Sequence, residues 1–134
     1  MTDDIFQDAD IIDTYSRKEA IEDGTLVDMT QEPFGQIARE AGIKWPVAMT
    51  AAAFDGFVDV SDTKGHSCQD AAGRFLEVVR MFRVTRRETS PLEARWTLLV
   101  RDPDGRRRRK ELKCISGPDD DGEPCLTFML PDED

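Results

Sequence analysis

The sequence predicts an α+β fold, with N-terminal helices packed on a C-terminal three-stranded antiparallel β-meander. Three observations predict it. Apolar residues recur at helical spacing as far as about residue 87. From Leu92 onward the period changes to two. Turn-forming clusters then divide the remainder into three extended runs. At 134 residues the chain suits one α+β domain over 1–134, large enough for a single core.

The elements follow in order. Residues 1–13 are acidic and read as an arm, with Ile5, Phe6, Ile11 and Ile12 as anchors. Ser16 and Glu19 form a capping box for a short helix from Arg17 to about Asp23, and Gly24 suits the left-handed position that ends it. Leu26 and Val27 continue as an extended segment into the core. A second helix starts at Thr30 or Gln31, with Pro33 in its first turn, and ends at Gly42. Pro46 then opens a third, alanine-rich helix reaching Phe57. A polar loop over residues 59–66 leads to Ser67, which caps the longest helix, roughly Cys68 to Arg87. Its buried stripe is Phe75, Leu76, Val79 and Phe82, with Arg74, Arg80, Arg83, Arg86 and Arg87 off it. Ser90-Pro91 breaks this helix. Strand one follows with Leu92, Ala94, Trp96, Leu98 and Val100 on one face. Asp102-Pro103-Asp104-Gly105 turns the chain into strand two, about Arg106 to Ser116. An acidic connection, residues 119–124, precedes strand three, Cys125 to Leu130, and residues 131–134 form an acidic tail.

Net charge is −10, but its distribution carries more information. Residues 1–35 hold ten acids and two bases, residues 36–118 eleven acids and sixteen bases, and residues 119–134 seven acids and no base. Acidic ends thus flank a mildly basic middle. Such ends repel free nucleic acid and anionic lipid, and a spaced carboxylate array can imitate a phosphate line. The acids in question are Asp3, Asp4, Asp8, Asp10, Asp119, Asp120, Asp121 and Glu123. In the middle, Arg106, Arg107, Arg108, Arg109 and Lys110 sit just past the turn. Alternation puts Arg107 and Arg109 on one face. A basic β-ribbon can grip phosphates or enter a groove; equally, charge protects an edge strand from aggregation, paired with the acidic tail.

Other chemistry finds little support. Three cysteines, Cys68, Cys114 and Cys125, without a C-x-x-C pair are no disulfide framework and suit a reducing compartment. Around Asp102 a calcium loop would need Val100 to ligate, and one histidine gives no zinc pattern, so neither metal nor cofactor is expected. His66 and Cys68 near a helix start form a weak nucleophile signal; residues this close along a chain rarely reach Cys–His geometry. Asp55, Asp59 and Asp62 look solvated rather than paired for acid–base work. No basic n-region precedes an apolar run, and no run approaches the ~20 residues that span a bilayer, so a cytoplasmic chain without membrane contact is expected.

The stretches Tyr15-Ser16-Arg17-Lys18-Glu19-Ala20, Asp23-Gly24-Thr25-Leu26-Val27-Asp28, Ala38-Arg39-Glu40-Ala41-Gly42 and Trp45-Pro46-Val47-Ala48-Met49-Thr50 carry a resemblance. So do Asp119-Asp120-Asp121-Gly122-Glu123-Pro124 and Leu126-Thr127-Phe128-Met129-Leu130-Pro131. Together they resemble an uncharacterised domain family with an Asp-Gly-x-Leu motif, found on plasmids, conjugative elements and phages. The resemblance implies a mobile-element setting and brings no catalytic residues. Asp23, Gly24, Leu26 and Asp28 of the motif read as structural, through capping and core entry.

The sequence therefore predicts a non-enzymatic mobile-element accessory protein. It would bind a basic protein partner through its acidic residues, as an anti-restriction or anti-CRISPR inhibitor. The alternatives are nucleic-acid binding through residues 106–110 and a small enzyme using Cys68 with His66.

Overall fold

The computed structural model describes residues 16–59, 71–102 and 104–133. Among them, four helices and six strands form an α+β fold around one mixed sheet of order β1-β2-β6-β5-β4-β3. Helix α1 (Arg17–Asp23) begins at Ser16, whose hydroxyl accepts from the Glu19 amide, and ends at Gly24 with φ +87°. Strand β1 (Leu26–Asp28) follows.

Helix α2 (Phe34–Glu40) starts later than its pattern suggests. The Asp28 carboxylate accepts from the Thr30 amide and hydroxyl and from the Gln31 side chain, which holds these residues in a turn. At its other end Ile43 N–H reaches Ala38 C=O and Gly42 N–H reaches Arg39 C=O, a Schellman closure.

The largest correction concerns residues 47–50. They form strand β2 (Val47–Thr50), not the start of a helix. β2 lies between β1, antiparallel, and β6 (Pro124–Met129), parallel. A strand buried on both faces shows no alternation, so its short apolar run also fits a helix. Helix α3 (Ala51–Phe57) begins only after Thr50, whose hydroxyl accepts from the Ala53 amide.

Helix α4 (Ala71–Thr85) buries Phe75, Val78, Val79 and Phe82. Val78 replaces Leu76, which is exposed, and Arg74 is buried rather than off the stripe. The helix stops at Thr85, just short of the predicted end near Arg87, and a strand that the sequence did not suggest, β3 (Arg87–Ser90), follows. It has no buried residue and exists through its pairing with β4 (Glu93–Arg101). Leu92 is exposed as well, outside the strand face it was assigned to. The predicted three-stranded meander is real, but it is only half of the sheet: β4, β5 (Arg107–Pro118) and β6 pair antiparallel, with β3 added outside β4 and β2 and β1 outside β6.

The core lies between one sheet face and α4. Register places Met49, Phe128, Cys114, Leu112, Trp96, Leu98 and Val100 on that face. The Trp96 indole stands nearly edge-on to Phe82 and Phe128, at 4.9 and 5.0 Å, and donates to Val78 C=O at 3.1 Å. Each such ring contributes about 1.5–3 kcal/mol by leaving water.

On the other face Arg17 binds Thr127 Oγ1 at 2.7 Å and Leu126 C=O at 2.8 Å. The expected acidic tail also folds back. Glu133 accepts from Thr50 Oγ1 and Leu130 N–H, and its carbonyl accepts from Lys113. Among the described residues no helix is long and apolar enough to cross a membrane.

Candidate nucleic-acid interface

The β4–β5 hairpin is built by its turn. Gly105 takes φ +87°, its amide donates to Asp102 C=O, and Asp102 N–H donates to Arg106 C=O. Asp104 accepts from the Arg106 amide at 2.9 Å. The register then fixes what faces what. β3 pairs with β4 only from Glu93 to Arg95, and β6 pairs with β5 only from Lys113 onward. Residues 96–101 and 107–112 therefore stand as a two-stranded ribbon, roughly 17 Å long at about 3.3 Å per residue. α4 backs it through Trp96, Leu98 and Val100.

The two faces of the ribbon differ in charge. On the helix-backed face, Arg108 and Lys110 converge on Asp102, which is buried. Arg108 also meets Asp104 at 3.1 Å. The hydrogen bonds from Lys110 and Arg108 hold the Asp102 carboxyl below the usual aspartate range. These two cations are neutralised by the turn that precedes them, not by the acidic tail.

The open face carries Arg101 opposite Arg107 at the tip, then Leu99 opposite Arg109, then Thr97 opposite Glu111. Arg101 and Arg107 are direct cross-strand partners, an arrangement of like charges that costs stability. Arg101 donates to Gly105 C=O at 3.1 Å, and its Nε is buried without a hydrogen-bond partner. Arg107 and Arg109 are exposed and make no ion pair among the described residues. Nearer the sheet, charges balance: Arg95 lies between Glu93 at 2.9 Å and Glu111 at 3.4 Å, and Arg87 meets Glu111 at 3.5 Å. On this face of the hairpin, among the described residues, the cations without an ion pair are thus those of the outer ribbon. Arg74 braces that end from α4, donating to Arg101 C=O at 2.6 Å and Asp59 C=O at 3.4 Å; burial pulls its pKa down. Helical spacing gave no sign of this role, because a buried arginine interrupts an apolar stripe.

The predicted acids fare differently. Asp119 tightens the β5–β6 turn, accepting from Asp121 N–H and Glu123 N–H at 2.9 Å each. Asp120 accepts from the Arg17 and Lys18 amides at 2.9 Å and so caps α1 from the far end of the chain. Those two amide bonds lower its pKa. Asp121 and Glu123 are exposed. This turn and the arginine tip sit at opposite ends of the twelve-residue β5, roughly 36 Å apart at about 3.3 Å per residue. Asp3, Asp4, Asp8, Asp10, Asp62, His66, Ser67 and Cys68 lie outside the described residues.

The four motif residues shape the chain locally. Asp23 accepts from the Thr25 hydroxyl and amide, which lower its pKa; Gly24 ends α1; half-buried Leu26 pairs with Thr50; and Asp28 holds the Thr30 turn. Among the described residues no group of three or more candidate ligands could hold a metal ion. Asp102 and Glu111, the would-be calcium ligands, are engaged by basic side chains.

A family of unknown function, DUF6573, is matched over residues 1–85. The matched segment ends at the last residue of α4, yet its strand β2 pairs with β6, so the whole sheet is needed to complete it. No curated protein and no solved structure matches the chain.

Proposed function

We propose that this chain, which belongs to the DUF6573 family of unknown function, is a non-enzymatic mobile-element accessory protein that binds duplex nucleic acid through its β4–β5 ribbon. The observation that carries this reading is the open ribbon face, where Arg101, Arg107 and Arg109 make no ion pair among the described residues. A two-stranded ribbon has the width of a major groove. No aromatic residue of β4 or β5 lies on that face, so it offers phosphate contacts without a stacking platform for single strands. The net charge of −10 does not veto it. The β5–β6 acids lie about four Debye lengths from the tip at physiological salt.

Fluorescence anisotropy with a labelled duplex tests the proposal. Three phosphate contacts give a log–log salt slope of about −2.7, and Arg107→Ala with Arg109→Ala should reduce it by about 1.8. Arg80→Ala, on the outer side of α4, should leave it unchanged. Absence of binding at low salt, or an unaltered slope in the double variant, refutes the proposal.

One observation favours a second reading, that of an acidic surface for a basic protein partner, such as a host-defence nuclease. Asp121 and Glu123 are exposed on a turn that Asp119 closes by two hydrogen bonds. Loss of protection against restriction in a transformation assay on Asp121→Lys with Glu123→Lys would support it; no protection by the unaltered chain would end it.

A further inference from the structure

A groove of about 600 Å³ opens on the helical side of the sheet, away from the open ribbon face. Phe82, Cys114 and Leu126 form its floor. Trp45 and Leu92 stand at its sides, 48% and 61% exposed, an unusual state for such large apolar groups in one place. Lys44 and Arg83 line it and make no ion pair among the described residues. Arg86 lines it too, its guanidinium 4.8 Å over the Phe82 ring. Against these cations stand Glu88 and Glu93, and Glu93 is already engaged by Arg95 at 2.9 Å and Thr89 at 2.5 Å. The groove therefore pairs an apolar floor with a net positive lining.

A second feature adjoins it. β3 is the last strand of the sheet, and among the described residues no strand pairs with its outer edge. Glu88 of β3 is opposite Ala94, which is opposite Cys114, so these residues share the face that forms the groove. A strand added beside β3 would send alternate side chains toward that face.

We propose that this groove and the β3 edge together bind an extended acidic segment of a partner protein. The segment adds as a seventh strand along β3, and its residues beyond the β3–β4 turn seat an apolar side chain between Trp45 and Leu92 and place carboxylates near Lys44 and Arg83. Charge complementarity selects the acidic segment, and Trp45 supplies the kind of large, half-exposed anchor that dominates binding energy. The site is distinct from the ribbon, and its occupancy does not depend on nucleic acid.

The test is selection of a random nine-residue peptide library, displayed on phage, against the full chain, followed by titration of the selected peptides. Expected are sequences with an aromatic or aliphatic anchor flanked by Asp or Glu. They should shift Trp45 emission to the blue while Trp96, 1% exposed, stays silent. Binding should fall at least about tenfold in Leu92→Ser with Arg83→Glu. It should fall in Lys44→Glu as well, which supplies an independent reading if the first variant folds poorly. Peptides N-methylated at alternate residues should bind weakly, because strand addition needs their amides. Arg107→Ala with Arg109→Ala should leave peptide affinity unchanged. The proposal is overturned if no peptide is enriched, if basic peptides prevail, if the groove variants bind equally well, if N-methylation has no effect, or if the ribbon variant abolishes binding.

Discussion

Arg17 is the point where the first described helix is tied to the last strand. Its guanidinium donates to Thr127 Oγ1 and Leu126 C=O while its amide donates to Asp120. Arg17→Ala removes both guanidinium bonds and leaves the amide bond in place. A hydrogen bond from a charged group contributes about 1.5–3 kcal/mol, and solvent screening in this half-buried setting lowers each to about 1–1.5 kcal/mol, so the expected loss is about 2–3 kcal/mol. The unfolding entropy of a chain this size, about 2.1 cal/mol/K per residue, converts that to a fall in Tm of about 7–11 °C. Arg17→Lys should recover less than half, since a single ammonium cannot span two acceptors as the fork does. Thermal unfolding followed by circular dichroism measures both. A fall below about 3 °C for Arg17→Ala, or full recovery by lysine, would refute the view that this fork fastens α1 to the sheet.

The remaining expectations concern the core, the carboxylates and the thiols. Trp96→Phe loses the bond to Val78 C=O and part of a ring contact, and should cost about 2–3 kcal/mol in urea unfolding; a loss below about 0.5 kcal/mol would contradict the packing described. Asp102, Asp104 and Asp120 are all held below the ordinary aspartate value of 3.8, so at low pH the unfolded chain binds more protons than the folded one. Stability should be full above about pH 5 and fall as pH drops through 3.8 and below, with a shallower acid limb in Asp120→Asn; a urea midpoint that rises on acidification would refute this. Burial pushes the Cys114 thiol up to about 12, so its alkylation at pH 8 should be roughly a thousandfold slower in the native chain than in urea, read by mass spectrometry; similar rates would show the site to be open.

What was legible in the sequence was what neighbouring residues decide among themselves. Ser16 and Gly24 mark both ends of α1 because a cap is a contact within a few residues. The alternation of Trp96, Leu98 and Val100 marks β4 because one of its faces is wet. The misreadings share one cause. Val47-Ala48-Met49 looks helical beside Ala51, and only pairing with β1 and with β6, both remote along the chain, makes it a strand. β3 has no apolar residue to announce it. Arg74 was placed outside because a charge in a stripe signals exposure, whereas carbonyls from β4 and residue 59 receive it inside.

The candidate site divides the same way. The sequence by itself determined that the chain is α+β, that its acids gather at its ends, and that a run of cations follows a turn at Gly105. Only the tertiary structure decided which of those charges are free. Pairing across the hairpin sent Arg108 and Lys110 to Asp102 and left Arg107 and Arg109 to solvent, while β5 carried the acidic turn to the far end of the sheet, where Asp120 caps a helix. Charge is a property of a residue, but its compensation depends on distance. Distances between remote residues exist only once strands have paired.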